Sequence, residues 1–113
     1  MPNLIPKNFF TGLASASSGY VYSTANTAGN YSIIKTINIC NTSNVANASA
    51  DVHILVANTA PSANNKIISN ALVIKNDVLY YSTSIVIPAN SNVYIASNAN
   101  TILTFSINGV EYA

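Results

Sequence analysis

From residue 19 onward, large apolar side chains recur at every second position in short runs, and each run stops at a cluster of Asn, Ser, Gly or Pro. A period of two marks a strand with one buried face. Residues 20–24 alternate in this way and are followed by a turn-like stretch at 25–30. In 31–40, Ile33, Ile37 and Ile39 share one parity against Thr36 and Asn38. After a polar loop over 41–49, residues 51–57 set Val52, Ile54 and Val56 on one face, with Asp51, His53 and Leu55 opposite. Residues 58–65 read as a second loop, broken by Pro61. The segment 66–75 fits no single period, with Ile67-Ile68 and Leu72-Val73-Ile74 around Ser69-Asn70. Strand-like runs return at 78–87, ended by Pro88, then at 93–96 and at 102–107, where Leu103, Phe105 and Ile107 face inward. Asn108-Gly109 is a strong hairpin dipeptide. With four residues after it, a bulge or a short terminal return fits equally well.

The first 18 residues break the rhythm. Pro2, Pro6, Gly12 and the small-residue run 14–18 interrupt every period, while Leu4, Ile5, Phe9 and Phe10 supply large apolar groups. This stretch reads as an extended N-terminal arm, a poor helix or strand, ahead of one domain at 19–113. Exposed Phe-Phe is an aggregation hazard, so Leu4, Ile5, Phe9 and Phe10 are the expected interface residues, buried against another subunit. Lys7, the Phe pair and the small residues also outline a secretory leader. Its apolar segment is too short and is broken by Thr11 and Gly12, so no leader is expected.

No segment carries an amphipathic period of about 3.6 residues. About six to eight short strands separated by turn clusters predict an all-β fold, an antiparallel β-sandwich of jelly-roll or Ig-like type. Its core is expected at Ile33, Ile37, Ile39, Val52, Ile54, Val56, Leu103, Phe105 and Ile107, one face of a sheet. A chain of 113 residues makes one domain.

Composition changes the picture. Half the residues are hydrophobic, yet only Lys7, Lys35, Lys66, Lys75, Asp51, Asp77 and Glu111 are charged, and there is no arginine. An ordinary soluble domain devotes about a quarter of its residues to charge. Neutral polar surfaces pack against neighbours without desolvating ions, which costs several kcal/mol per unpaired charge. The chain is therefore built to be part of something larger. A net charge of +1 without a basic cluster excludes nucleic acid as a partner. The apolar runs fall far short of the ~20 residues of a membrane-spanning helix.

Candidate chemistry is thin. Asp51 and His53 lie two apart on a strand, facing the same way, but no nucleophile elbow accompanies them. The three carboxylates are scattered, and one His with one Cys matches no zinc spacing. No glycine-rich phosphate loop occurs. Cys40, at the end of an isoleucine strand, reads as an inert small hydrophobe. Tyr20, Tyr22, Tyr80, Tyr81 and Tyr94 suit a sugar site, and equally suit ordinary strand positions at the core edge. Asn-x-Ser triplets at Asn30, Asn41 and Asn47 arise by chance in so asparagine-rich a chain. No catalytic, cofactor or metal residue is expected, and no enzyme.

The order of strand motifs carries a resemblance. Tyr20-Val21-Tyr22-Ser23-Thr24, Ile39-Cys40-Asn41-Thr42, Val52 through Ala57, Ile87-Pro88-Ala89-Asn90-Ser91 and Phe105 through Glu111 follow one another over residues 20–112. In this the chain resembles small virion structural proteins of tailed bacteriophages, especially those infecting marine cyanobacteria. It departs from their pattern in having fewer acidic residues and longer Asn/Ser loops. The resemblance implies a phage-particle location and a capsid decoration (cement) protein that binds and stabilises the major capsid shell. The alternative it implies is a tail, baseplate or fibre component contacting the host surface. Partners would be the major capsid protein or other virion proteins, and a homo-oligomer, a trimer by analogy with decoration proteins on local three-fold positions.

Overall fold

The computed structural model describes residues 4–13, 19–23, 31–56, 59–98 and 102–112. Among these residues eight strands run in the order β1 (Leu4–Leu13), β2 (Gly19–Ser23), β3 (Tyr31–Asn41), β4 (Ala48–Val56), β5 (Lys66–Val73), β6 (Val78–Ile87), β7 (Ser91–Ser97) and β8 (Leu103–Tyr112), with one 3-10 turn at Ala63–Asn65. They form two antiparallel four-stranded sheets, A in the order β1-β8-β3-β6 and B in the order β2-β7-β4-β5. Successive strands alternate between the sheets, except that β4 and β5 are both in sheet B, and β8 sits beside β1. This is the double Greek key of a jelly roll. The expected turn at 25–30, the small-residue run 14–18 and most of the turn at 98–100 lie outside the described residues.

The core fills the space between the sheets. Ile37, Ile39, Val52, Ile54, Leu103, Phe105 and Ile107 are buried there, as their alternation demands. Two expected core positions are corrected. Val56 ends β4 and is exposed, and Ile33 is only half-buried while Ile34 takes the interior place. The cause is a bulge. Against β8, Ile34 pairs with Gly109 and Thr36 with Asn108, so Lys35 is an extra residue and the parity of β3 switches.

Residues 4–13 correct another expectation, because they form a full strand paired with β8. β1 is the edge of sheet A, where a proline that cannot donate is tolerated. Its ladder breaks once, at Phe9, which has no partner between Asn8–Asn108 and Phe10–Ile107. Gly109 is not a hairpin corner but a mid-strand residue. A Cβ placed on it would lie 1.9 Å from the Ile33 carbonyl oxygen and 2.9 Å from the Phe9 ring. Only glycine lets β1, β8 and β3 close up at their bulges.

The segment 66–75, aperiodic in sequence, contains β5. Its pairing with β4 breaks twice, and Asn70 takes a left-handed conformation with φ 50. These irregularities are why no period is visible.

Candidate interaction surface

The four residues expected at an interface are treated differently by the fold. Phe9, as the bulge residue of β1, turns into the core, 7% exposed, with its ring 4.5 Å from that of Tyr22. Phe10 is half-buried and packs on the same core. Phe9 is thereby taken into the core, while part of Phe10 stays at the surface. Ile5 is 48% exposed, and the side chain of Leu4 lies outside the described residues.

Tyr22 links the two sheets. From β2 its hydroxyl donates to Glu111 Oε2 on β8 at 2.5 Å and meets Ser32 Oγ on β3 at 2.8 Å. Lys7 Nζ stands 4.0 Å from the same carboxylate oxygen. Burial, and then the bond to Glu111, push the Tyr22 phenol up to about 12, with Ser32 opposing. A proton held this firmly at neutral pH serves structure.

Asp51 and His53 are likewise tied into the scaffold. Asp51 Oδ1 accepts from the Asn70 amide at 2.6 Å and pairs with Lys66 at 3.6 Å, pinning the left-handed residue of β5. His53 is buried, its Nδ1 2.7 Å from Asn65 Oδ1 and its ring edge-on to Tyr94. Asn65 Oδ1 also accepts from the Ser62 amide, and its Nδ2 donates to the Ala60 carbonyl. The Nδ1 of His53 therefore carries the proton and donates. The turn at Ala63–Asn65 thus sits against β4 at His53, on the face that also carries Asp51 and the buried Leu55. Among the described residues no three of His, Cys, Asp and Glu gather. No helix there is long and apolar enough to cross a membrane. Of the tyrosines weighed for a sugar site, Tyr80 points out from sheet A, Tyr94 lies on the His53 side of sheet B, and Tyr22 and Tyr81 pack against the core, so these four form no common face.

What the molecule does present is the outer face of sheet A. Its register lays out four rows across the strands: Leu13–Thr104–Cys40–Val78, Thr11–Ser106–Asn38–Tyr80, Asn8–Asn108–Thr36–Ser82 and Pro6–Val110–Ile33–Val86. No Asp, Glu, Lys or Arg stands in these rows, and Lys35 rises beside them from its bulge, donating to Ser84 Oγ at 2.7 Å. The middle rows are stitched by neutral side chains. Asn8 Nδ2 donates to Asn108 Oδ1 at 2.7 Å and Thr11 Oγ1 at 2.9 Å, and Asn108 Nδ2 to Ser106 Oγ at 3.0 Å. Apolar side chains, Leu13 and Val78 at one end and Val110, Ile33 and Val86 at the other, flank this polar band. Sequence reasoning missed the face because its rows draw on four strands from both ends of the chain; the scarcity of charge was its only trace.

No protein-family model matches the sequence, and no curated protein does. In three dimensions the chain is similar to chains of infectious bursal disease virus. In the T13 viral particle the match has a TM-score of 0.54 at 13% identity, covering 98% of this chain and 30% of that one. In the Gx strain it has a TM-score of 0.50 at 13% identity, covering 98% and 31%. At this identity the likeness is one of fold, and this chain spans under a third of each.

Proposed function

We propose that the chain is a non-enzymatic structural component of a virus particle. The observation that carries this reading is the outer face of sheet A, whose rows hold no charged residue and which Lys35 alone borders, on a jelly roll almost devoid of charge. Such a face loses little on desolvation and suits lasting contact with another protein, since obligate interfaces are more apolar than other surfaces. The same fold in chains of an icosahedral virus particle supports it. Asp51 and His53 serve the scaffold, in keeping with a role in contact rather than catalysis.

More finely, the chain is a bacteriophage decoration (cement) protein that binds the major capsid protein at the particle surface. It stabilises the shell by mass action, many weak contacts acting together. Ile5, exposed near the end of β1 with Leu4 beside it in the strand, points to the opposite side of sheet A from Pro6 and adds a second apolar contact at that edge. The test is quantitative mass spectrometry of purified particles of the virus that encodes the chain. A copy number tracking that of the capsid subunits is expected. A few copies confined to one vertex would move the chain to the tail or baseplate, and its absence from the particle would overturn the virion reading.

A further inference from the structure

The two sheets have four edge strands, and three of them carry features that discourage pairing with another chain. β1 has Pro6, Lys7 and the Phe9 bulge; β2 is five residues long with a break in register; β5 opens on Lys66, breaks register twice and contains left-handed Asn70. Prolines, lysines, bulges and shortness are the devices by which natural sheets protect an edge. β6 has none of the first two. It is ten residues long, Val78-Leu-Tyr-Tyr-Ser-Thr-Ser-Ile-Val-Ile87, without charge, proline or glycine. Its one irregularity, at Thr83-Ser84 against β3, leaves its own in–out alternation unbroken. Among the described residues it pairs with β3 on one side only, so half its backbone donors and acceptors face outward. Val78, Tyr80 and Val86 stand 46%, 63% and 55% exposed along it.

The sequence of the strand indicates what covers it. Residues opposite each other in an antiparallel pair point to the same face, so β6 can meet a second β6 only in registers that keep its parity. Set about Ser82, the strand matches itself. Val78 faces Val86 of the second copy and Leu79 faces Ile85, with Tyr80 opposite Ser84, Tyr81 opposite Thr83, and Ser82 opposite Ser82. The neighbouring allowed registers are poorer. An axis at Tyr81 sets Ile85 against Asp77, and one at Thr83 sets Val78 against Pro88, which has no N–H to give. An uncharged strand also escapes the like-charge repulsion that a two-fold axis forces on any charged residue beside it.

We propose that β6 pairs antiparallel with β6 of a second copy about a two-fold axis at Ser82. This joins the two A sheets into one continuous sheet. The contact is isologous and therefore closes as a dimer. Lys35, held over Ser84, then lies beside Tyr80 of the second copy. The pairing belongs to the purified chain and does not rest on the virion reading.

Sedimentation equilibrium of the full chain tests it. The wild type is expected to dimerise with concentration, and Ser82→Lys, at an exposed position but doubled on the axis, to weaken the dimer severalfold with an unchanged circular dichroism spectrum. As a second measurement, Ser82→Cys in a Cys40→Ser background should form a disulfide-linked dimer on mild oxidation, while Thr83→Cys should not. A wild-type chain that stays monomeric up to its solubility limit overturns the proposal. So does a dimer or trimer indifferent to Ser82→Lys, or cross-linking through Thr83→Cys instead.

Discussion

Asn41 shows how much one side chain can hold at the end of a strand. It is buried, its Nδ2 donating to the carbonyls of Ala46 at 2.9 Å and Val73 at 3.0 Å, and its Oδ1 accepting from the Ser43 amide at 2.9 Å. Each such bond is worth about 1 kcal/mol net, so Asn41→Ala should cost about 3 kcal/mol, read as a lowered midpoint in urea denaturation. Nothing in the local sequence separates Asn41 from the exposed asparagines around it, because Val73 reaches it from a distant strand. Tyr22 makes a second prediction. Its phenol holds its proton to about 12 in the fold, against 10.0 ordinarily. The unfolded chain releases that proton first, so the contribution of Tyr22 is intact below pH 10 and is lost as pH rises towards 12. Tyr22→Phe should lower stability at neutral pH by about 1 kcal/mol. It should also flatten the fall of Tm between pH 10 and 12 relative to wild type, measured by thermal denaturation in parallel buffers.

At the scale of elements, the strands were legible wherever alternation ran unbroken, as in Val52–Ile54 and Leu103–Ile107. Legibility failed at the bulges. An inserted residue such as Lys35 reverses parity without leaving a mark, and adjacent Ile33 and Ile34 offer either one to the core. The same failure hid β1, whose proline and Phe pair suggest an irregular arm until an edge position and an unpaired Phe9 accommodate them. The candidate face was the least visible part, since a row such as Thr11–Ser106–Asn38–Tyr80 exists only once the strands are registered. Gly109 is where the bulges meet, and Gly109→Ala should be costly. The added methyl collides with backbone, which moves less readily than a side chain, and overpacking of this severity reaches about 3 kcal/mol. A drop in Tm, together with loss of amide protection in β1 and β3 by hydrogen exchange, would register it.

For the whole molecule, the decisive fact is where β8 lies. It occupies an interior place in sheet A, between β1 and β3, with Leu4 opposite Tyr112. Chains dominated by such distant pairings fold on a scale of about milliseconds to seconds, and stopped-flow refolding from urea should show it. During synthesis the consequence is sharper. Until residues 103–112 have been made, β1 and β3 have no strand between them, and both must wait with open edges. A nascent chain that ends at residue 102 should therefore remain unfolded, and a synthetic peptide of residues 103–112 supplied to it should restore the native circular dichroism, as donor strands do elsewhere. A chain made only as far as residue 102 is thereby withheld from the native fold, and with it from any contact that needs sheet A complete.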